Sequence, residues 1–112
     1  AAANPARRWT APARLSPEGA GLDDLKALAT RLIKDDVPVL TYSLHSSSLT
    51  PGANAYAPGP EAVSRILDTT RRFFRWFAER QGGEFVSLDD LQTAYRPSTP
   101  PIKLNHKLSR VA

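Results

Sequence analysis

The chain of 112 residues contains no cysteine and no methionine. Without cysteine there is neither a disulfide framework nor a cysteine-based zinc site. Because a natural chain begins with methionine, we expect a trimmed chain or the tail end of a longer protein. No stretch has the roughly 20 consecutive apolar residues that a membrane-spanning helix needs. The sequence therefore predicts no membrane span.

Composition is that of one small globular domain or part of a larger one, since 41% of the residues are hydrophobic. The formal net charge is +4, which permits weak attraction to phosphate. The basic residues are scattered, however, and no nucleic-acid-binding motif accompanies them. We interpret them as a solvated helix face and basic chain ends, and we expect no nucleic-acid partner.

Apolar residues recur at helical spacing in two segments. The first predicts a helix from about Leu22 to Lys34, with acidic residues near its positive end. The second begins at Pro60, carries a broad stripe that includes three phenylalanines, and stops at Gly82-Gly83. Ser87-Leu-Asp-Asp90 resembles a helix cap and predicts a short third helix.

Between these helices the sequence predicts strands. Residues 37–44 are β-prone and apolar on both faces, residues 84–87 form a second short candidate, and a long polar loop follows His45. The order helix, strand, long loop, helix, short strand, short helix predicts an α/β fold. A complete sheet needs more strands, so the pattern favours part of a (β/α) barrel over a whole domain.

His45 lies where the predicted strand meets a hydroxyl-rich turn, Ser46-Ser47-Ser48. An imidazole changes its charge near neutral pH, with a reference pKa of about 6.5, so His45 is a candidate general acid. The alternative is a strand-end histidine that hydrogen-bonds a backbone carbonyl.

The residues after His45 allow two interpretations each. The serines either satisfy the backbone of the turn or bind sugar hydroxyls, and Tyr56 either stacks on a sugar or packs the loop against the fold. A strand, a Ser/Gly loop and a helix start can also hold an anion. That interpretation is the weakest, because the glycine spacing and lysine of a P-loop are missing.

Several segments together resemble the C-terminal part of polysaccharide deacetylase-like proteins, which form the NodB-homology, carbohydrate esterase 4 superfamily. The nearest resemblance is to bacterial proteins of cell-surface polysaccharide loci, and it covers roughly residues 15–91. The segments are Leu15-Ser-Pro-Glu-Gly19, Leu44-His-Ser-Ser-Ser-Leu-Thr-Pro-Gly52, Tyr56, and the run from Phe73-Phe74 to Gly82-Gly83.

The resemblance implies the C-terminal portion of a distorted (β/α) barrel over residues 15–95. Residues 1–14 would be a linker or severed connection, and residues 96–112 a proline-rich, basic and mobile tail. A divalent metal, zinc or similar, would be held by an Asp and two His of the N-terminal half, which also supplies the catalytic base. That half is absent from this chain, which alone should bind no metal and be inactive.

His45 is the one position that matches a catalytic residue of the family, the general acid that protonates the leaving amine of an N-acetyl sugar. The resemblance also implies that Ser46, Ser47 and Tyr56 contact an acylated polysaccharide or oligosaccharide. Ser43 departs from the family pattern, which has leucine there to line an acetyl pocket. The alternative is therefore a non-catalytic carbohydrate-binding or interaction element. The compartment, bacterial cytoplasm or cell envelope, stays open.

Overall fold

The structure, a computed structural model, describes residues 14–94. Within these residues lie three α-helices, α1 (Leu22–Lys34), α2 (Pro60–Gln81) and α3 (Leu88–Ala94), and a short 3-10 helix at Ser46–Leu49. The predicted tail, and all of the predicted linker except residue 14, lie outside the described residues.

The predicted α1 is confirmed over the whole of its expected range. Its ends suit the helix dipole, with Asp23 and Asp24 in the first turn and Arg31 and Lys34 in the last. The buried residues on α1 are Leu25 and Ala29, which face α2. Local charge and apolar spacing therefore agree with the observed packing.

The predicted start and end of α2 are also confirmed. Pro60 occupies the beginning of the helix, where its missing N–H costs nothing. Gly82 has φ 63°, a left-handed conformation that ends the helix and favours glycine. The next residue, Gly83, donates its N–H to the carbonyl of Phe77 at 3.0 Å.

The short α3 begins with the predicted cap. The N–H of Asp90 donates to Ser87 Oγ, and the N–H of Ser87 donates to Asp90 Oδ2, both at 3.1 Å. These hydrogen bonds lower the pKa of Asp90. The cap therefore forms as a reciprocal pair at the surface.

The predicted α/β fold is wrong, and residues 14–94 are not a portion of a barrel. They contain no strand, and the only β-type pairing among them is one parallel bridge between Leu15 and Tyr42. A strand needs a neighbouring backbone along its edge, and segment 37–44 pairs with another backbone segment at a single residue pair. Leu40 and Tyr42 pack against the helical core instead, whereas Val39 is exposed.

Tyr42 shows how α2 replaces a sheet neighbour. Its ring stacks on Phe73 with centroids 5.3 Å apart and meets Phe74 edge-on at 4.9 Å. Its hydroxyl lies 2.7 Å from Thr70 Oγ1. The second predicted strand, residues 84–87, is likewise irregular, and Phe85 packs there against Phe74 and Phe77.

The core lies between α1, α2 and the segment that leads into α1. Leu15, Leu25, Ala29 and Phe73 are buried there. An open, mainly apolar groove of about 610 Å³ runs beside it, between residues 38–42, α2 and residues 83–94. Among the described residues, no helix combines the length and apolar character needed to cross a membrane.

Candidate functional site

Glu18 lies where three segments meet: the turn at residues 15–19, the end of segment 37–45, and the 3-10 helix. The turn is folded by Gly19, whose φ is 78°, and by Ser16 Oγ, which accepts the N–H of Glu18 at 3.2 Å. The bridge between Leu15 and Tyr42 then sets this turn beside His45. The carboxylate of Glu18 therefore lies beside His45, although the two residues are far apart in the sequence.

The Glu18 side chain is 1% exposed and is surrounded by hydrogen-bond donors. Its Oε1 accepts the backbone N–H of His45 at 2.8 Å and the hydroxyl of Ser48. Its Oε2 accepts His45 Nδ1 at 2.8 Å and, at a long 3.5 Å, the hydroxyl of Ser16. A buried carboxylate needs such partners, and here both oxygens have them.

These contacts decide the charge of Glu18. Burial acts to raise its pKa, but the hydrogen bonds from Ser48, from the backbone and ring of His45, and the charge of that ring outweigh burial. The pKa of Glu18 falls from its ordinary 4.5 to about 2. Near neutral pH the side chain is therefore an ionised, buried carboxylate.

His45 joins this carboxylate through one ring nitrogen only. Because ionised Glu18 carries no proton, Nδ1 must donate to Oε2, and the neutral ring is then the Nδ1–H tautomer. Within residues 14–94, Nε2 takes part in no hydrogen bond, and the side chain is 66% exposed. Nε2 is therefore the atom that can take or give a proton at the surface.

Asn54 holds the loop that supports the pair. Its Nδ2 donates to Ser47 Oγ at 2.9 Å and to Ser48 Oγ at 2.8 Å. Its Oδ1 accepts the backbone N–H groups of Tyr56 at 2.9 Å and Ala57 at 3.1 Å. One amide therefore fixes the path of the loop on both sides of its turn.

The structure separates the predicted site residues. The His45 ring hydrogen-bonds Glu18, and the Ser47 hydroxyl accepts from Asn54. Ser46 is exposed, and its hydroxyl has no hydrogen bond within the described residues. Tyr56 is 45% exposed, and its ring lies beside the turn that carries Glu18: a Cβ placed on Gly19 would be 3.7 Å from Tyr56 Cε1. An aromatic ring thus lies beside the turn that carries Glu18.

Three residues of this site were missed by the sequence reasoning. The sequence singles out Glu18 only as part of the segment Leu15-Ser-Pro-Glu-Gly19, and no spacing rule links it to a histidine 27 positions away. The sequence predicts that Ser48 either satisfies the turn backbone or binds sugar hydroxyls, whereas its side chain is fully buried and donates to Glu18. Asn54 carried no signal beyond its place in a polar loop.

The part of the chain that the structure describes does not fit a metal ion. No group of three or more His, Cys, Asp or Glu side chains in residues 14–94 is arranged to hold one. Ser43, the departure from the deacetylase pattern, has an exposed side chain, and its backbone N–H donates to the carbonyl of Leu15 at 2.9 Å.

Comparison with known proteins identifies no relative of this chain: no protein-family model matches it, and neither a curated protein nor a solved structure does.

Proposed function

We propose that this chain carries the proton-donating element of a longer polysaccharide deacetylase-like hydrolase that acts on N-acetylated or otherwise acylated polysaccharide. One observation carries the proposal: buried, ionised Glu18 lies 2.8 Å from His45 Nδ1, while the rest of the ring is exposed. A carboxylate that holds one ring nitrogen orients the other for proton transfer. The sequence resemblance supplies the class of substrate.

The proposed chemistry is the loss of an amine from a tetrahedral intermediate. Once water has added to the acyl carbon, the C–N bond breaks as the carbonyl re-forms, and the amine nitrogen takes the proton of His45 Nε2. The ring is left neutral with its remaining proton on Nδ1, directed at Glu18. General acid assistance of this kind typically contributes about 10²- to 10⁴-fold.

The serines of the loop support an acid role for His45 rather than a nucleophilic serine. A serine nucleophile needs its hydroxyl on the free ring nitrogen, and no serine within residues 14–94 makes that hydrogen bond. The proton of Ser48 goes to Glu18, and Ser47 accepts from Asn54. The resemblance implies that the group that activates water is supplied by the N-terminal half of such proteins, outside this chain.

The test is acetate release from an N-acetylated oligosaccharide by the full-length protein that carries this chain. We expect His45→Gln to lower kcat by about 10²- to 10⁴-fold, because glutamine cannot protonate an amine. His106→Gln removes the chain's other imidazole and should leave the rate unchanged. A wild-type protein without activity, or equal rates for the wild type and His45→Gln, contradicts the proposal.

A non-catalytic carbohydrate-binding element is the second candidate, favoured by the exposed ring of Tyr56 beside Gly19. Titration of this chain with an N-acetylated oligosaccharide, followed by amide shifts, separates the two. A pure binding element should bind with no acetate release from the full-length protein. Tyr56→Ala should then weaken binding, while His45→Gln leaves it unchanged.

A further inference from the structure

The side-chain amide of Asn54 uses all of its hydrogen-bonding capacity inside the loop. Its two N–H groups point at the hydroxyl oxygens of Ser47 and Ser48, and its oxygen accepts two backbone N–H groups. A flipped amide would set donors against donors at Tyr56 and Ala57. The amide therefore has one permitted orientation.

That orientation decides where the proton of Ser48 goes. Because Asn54 Nδ2 donates to Ser48 Oγ, this oxygen acts as an acceptor there, and its single proton is left for Glu18 Oε1. Ser48 is fully buried, so water does not compete for the proton. Asn54 thus donates to Ser48 and Ser48 to Oε1 of Glu18, while His45 Nδ1 donates to Oε2, so that the hydrogen bonds converge on one carboxylate.

We infer that Asn54 is a positioning residue for His45: it directs the hydroxyl proton of Ser48 onto Glu18, and Glu18 in turn holds the ring proton of His45 on Nδ1. This inference deepens the proposed function and rests on it, since proton transfer there uses Nε2. The same amide accepts the backbone N–H of Tyr56 at 2.9 Å, so it also fixes the backbone that carries the exposed aromatic ring.

Asn54→Asp tests this direction with little change of shape. A carboxylate still accepts the N–H groups of Tyr56 and Ala57, but it cannot donate to Ser48. The Ser48 proton can then turn to Asp at position 54, and the Ser48 lone pairs then face Glu18 Oε1 and repel it. Glu18 would lose its alignment with His45 Nδ1.

The readout is the 15N spectrum of the His45 ring in this chain, at a pH where the ring is neutral. We expect the wild type to carry its proton on Nδ1 and Asn54→Asp to carry it mainly on Nε2. The pKa of Glu18, followed by its carboxyl 13C shift, should also rise in the variant. A new negative charge alone would raise that pKa, whereas the tautomer reports the orientation of Glu18.

Ser48→Ala and the double variant complete the design. If Asn54 acts through Ser48, both should give the same tautomer shift as Asn54→Asp, with no further change in the double variant. The inference fails if Asn54→Asp keeps the wild-type tautomer, if Ser48→Ala keeps it, or if the two single effects add. No substrate is used, so a missing hydrolase activity leaves this result standing, and its failure leaves the activity test intact.

Discussion

Replacing Glu18 with glutamine removes the charge at the centre of the site and keeps its shape. The glutamine oxygen can still accept from the His45 N–H and from Ser48, but as a neutral acceptor. Its amide group faces His45 Nδ1, which in the wild type is a donor. Hydrogen bonds to charged groups contribute about 1 kcal/mol more than neutral ones, so three such contacts predict a loss of about 2–3 kcal/mol at pH 7.

The pKa of Glu18 decides how the stability difference between the wild type and Glu18→Gln changes with pH. The pKa of Glu18 is lowered from 4.5 to about 2 in the folded protein. The stabilisation is therefore fully present above pH 4.5 and is lost as the pH falls toward 2. Wild type and Glu18→Gln should differ most near pH 7 and converge near pH 2. Urea unfolding followed by circular dichroism at several pH values measures both curves.

Asp35→Asn is the matched control. Asp35 pairs with Arg31 at 2.7 Å, but both side chains are about half exposed, at 49% and 53%. Exposed pairs contribute about 0–1 kcal/mol, so this variant should stay close to the wild type throughout. Equal stability of the wild type and Glu18→Gln at pH 7, or a constant gap between them down to pH 2, would refute the buried-carboxylate reasoning.

Two further predictions concern the aromatic core. Phe73 is 3% exposed, so Phe73→Ala should lower the free energy of unfolding by about 3–5 kcal/mol. Phe85 is 59% exposed, so Phe85→Ala should lower it by only about 1 kcal/mol in the same denaturation assay. Thr70 donates its proton to the carbonyl of Ile66, so Tyr42 is the donor to Thr70, and Tyr42→Phe should cost about 1 kcal/mol. Burial raises the pKa of Tyr42, against the hydrogen bond to Thr70, so this variant should also lose a tyrosinate absorbance component that titrates above pH 10.

The predicted helices agree with the structure because the signals that define them are local. The start of α2 at Pro60 and its end at Gly82 follow from one missing N–H and one left-handed residue. The cap of α3 needs only Ser87 and Asp90. Each of these features lies within a few residues of the chain, so the sequence carries it directly.

The strand prediction failed for a reason of the opposite kind. Residues 37–44 have the composition of a buried strand, but strand formation depends on a partner backbone supplied from elsewhere. In residues 14–94 that partner is limited to Leu15, and the rings of α2 cover Tyr42 instead. Apolar composition predicted a strand buried on both faces, whereas no residue of 37–44 is fully buried and Val39 is 37% exposed.

The site divides in the same way. His45 stood out from the sequence as a titratable side chain after an apolar run and before a hydroxyl-rich turn. Its partner did not, because Glu18 reaches it from 27 positions away through a turn at Gly19 and a single bridge. The helix positions and the choice of histidine follow from neighbours along the chain. Contacts between segments that only folding brings together decide the rest: the buried carboxylate, the direction of the Ser48 proton, and the lack of a sheet in residues 14–94.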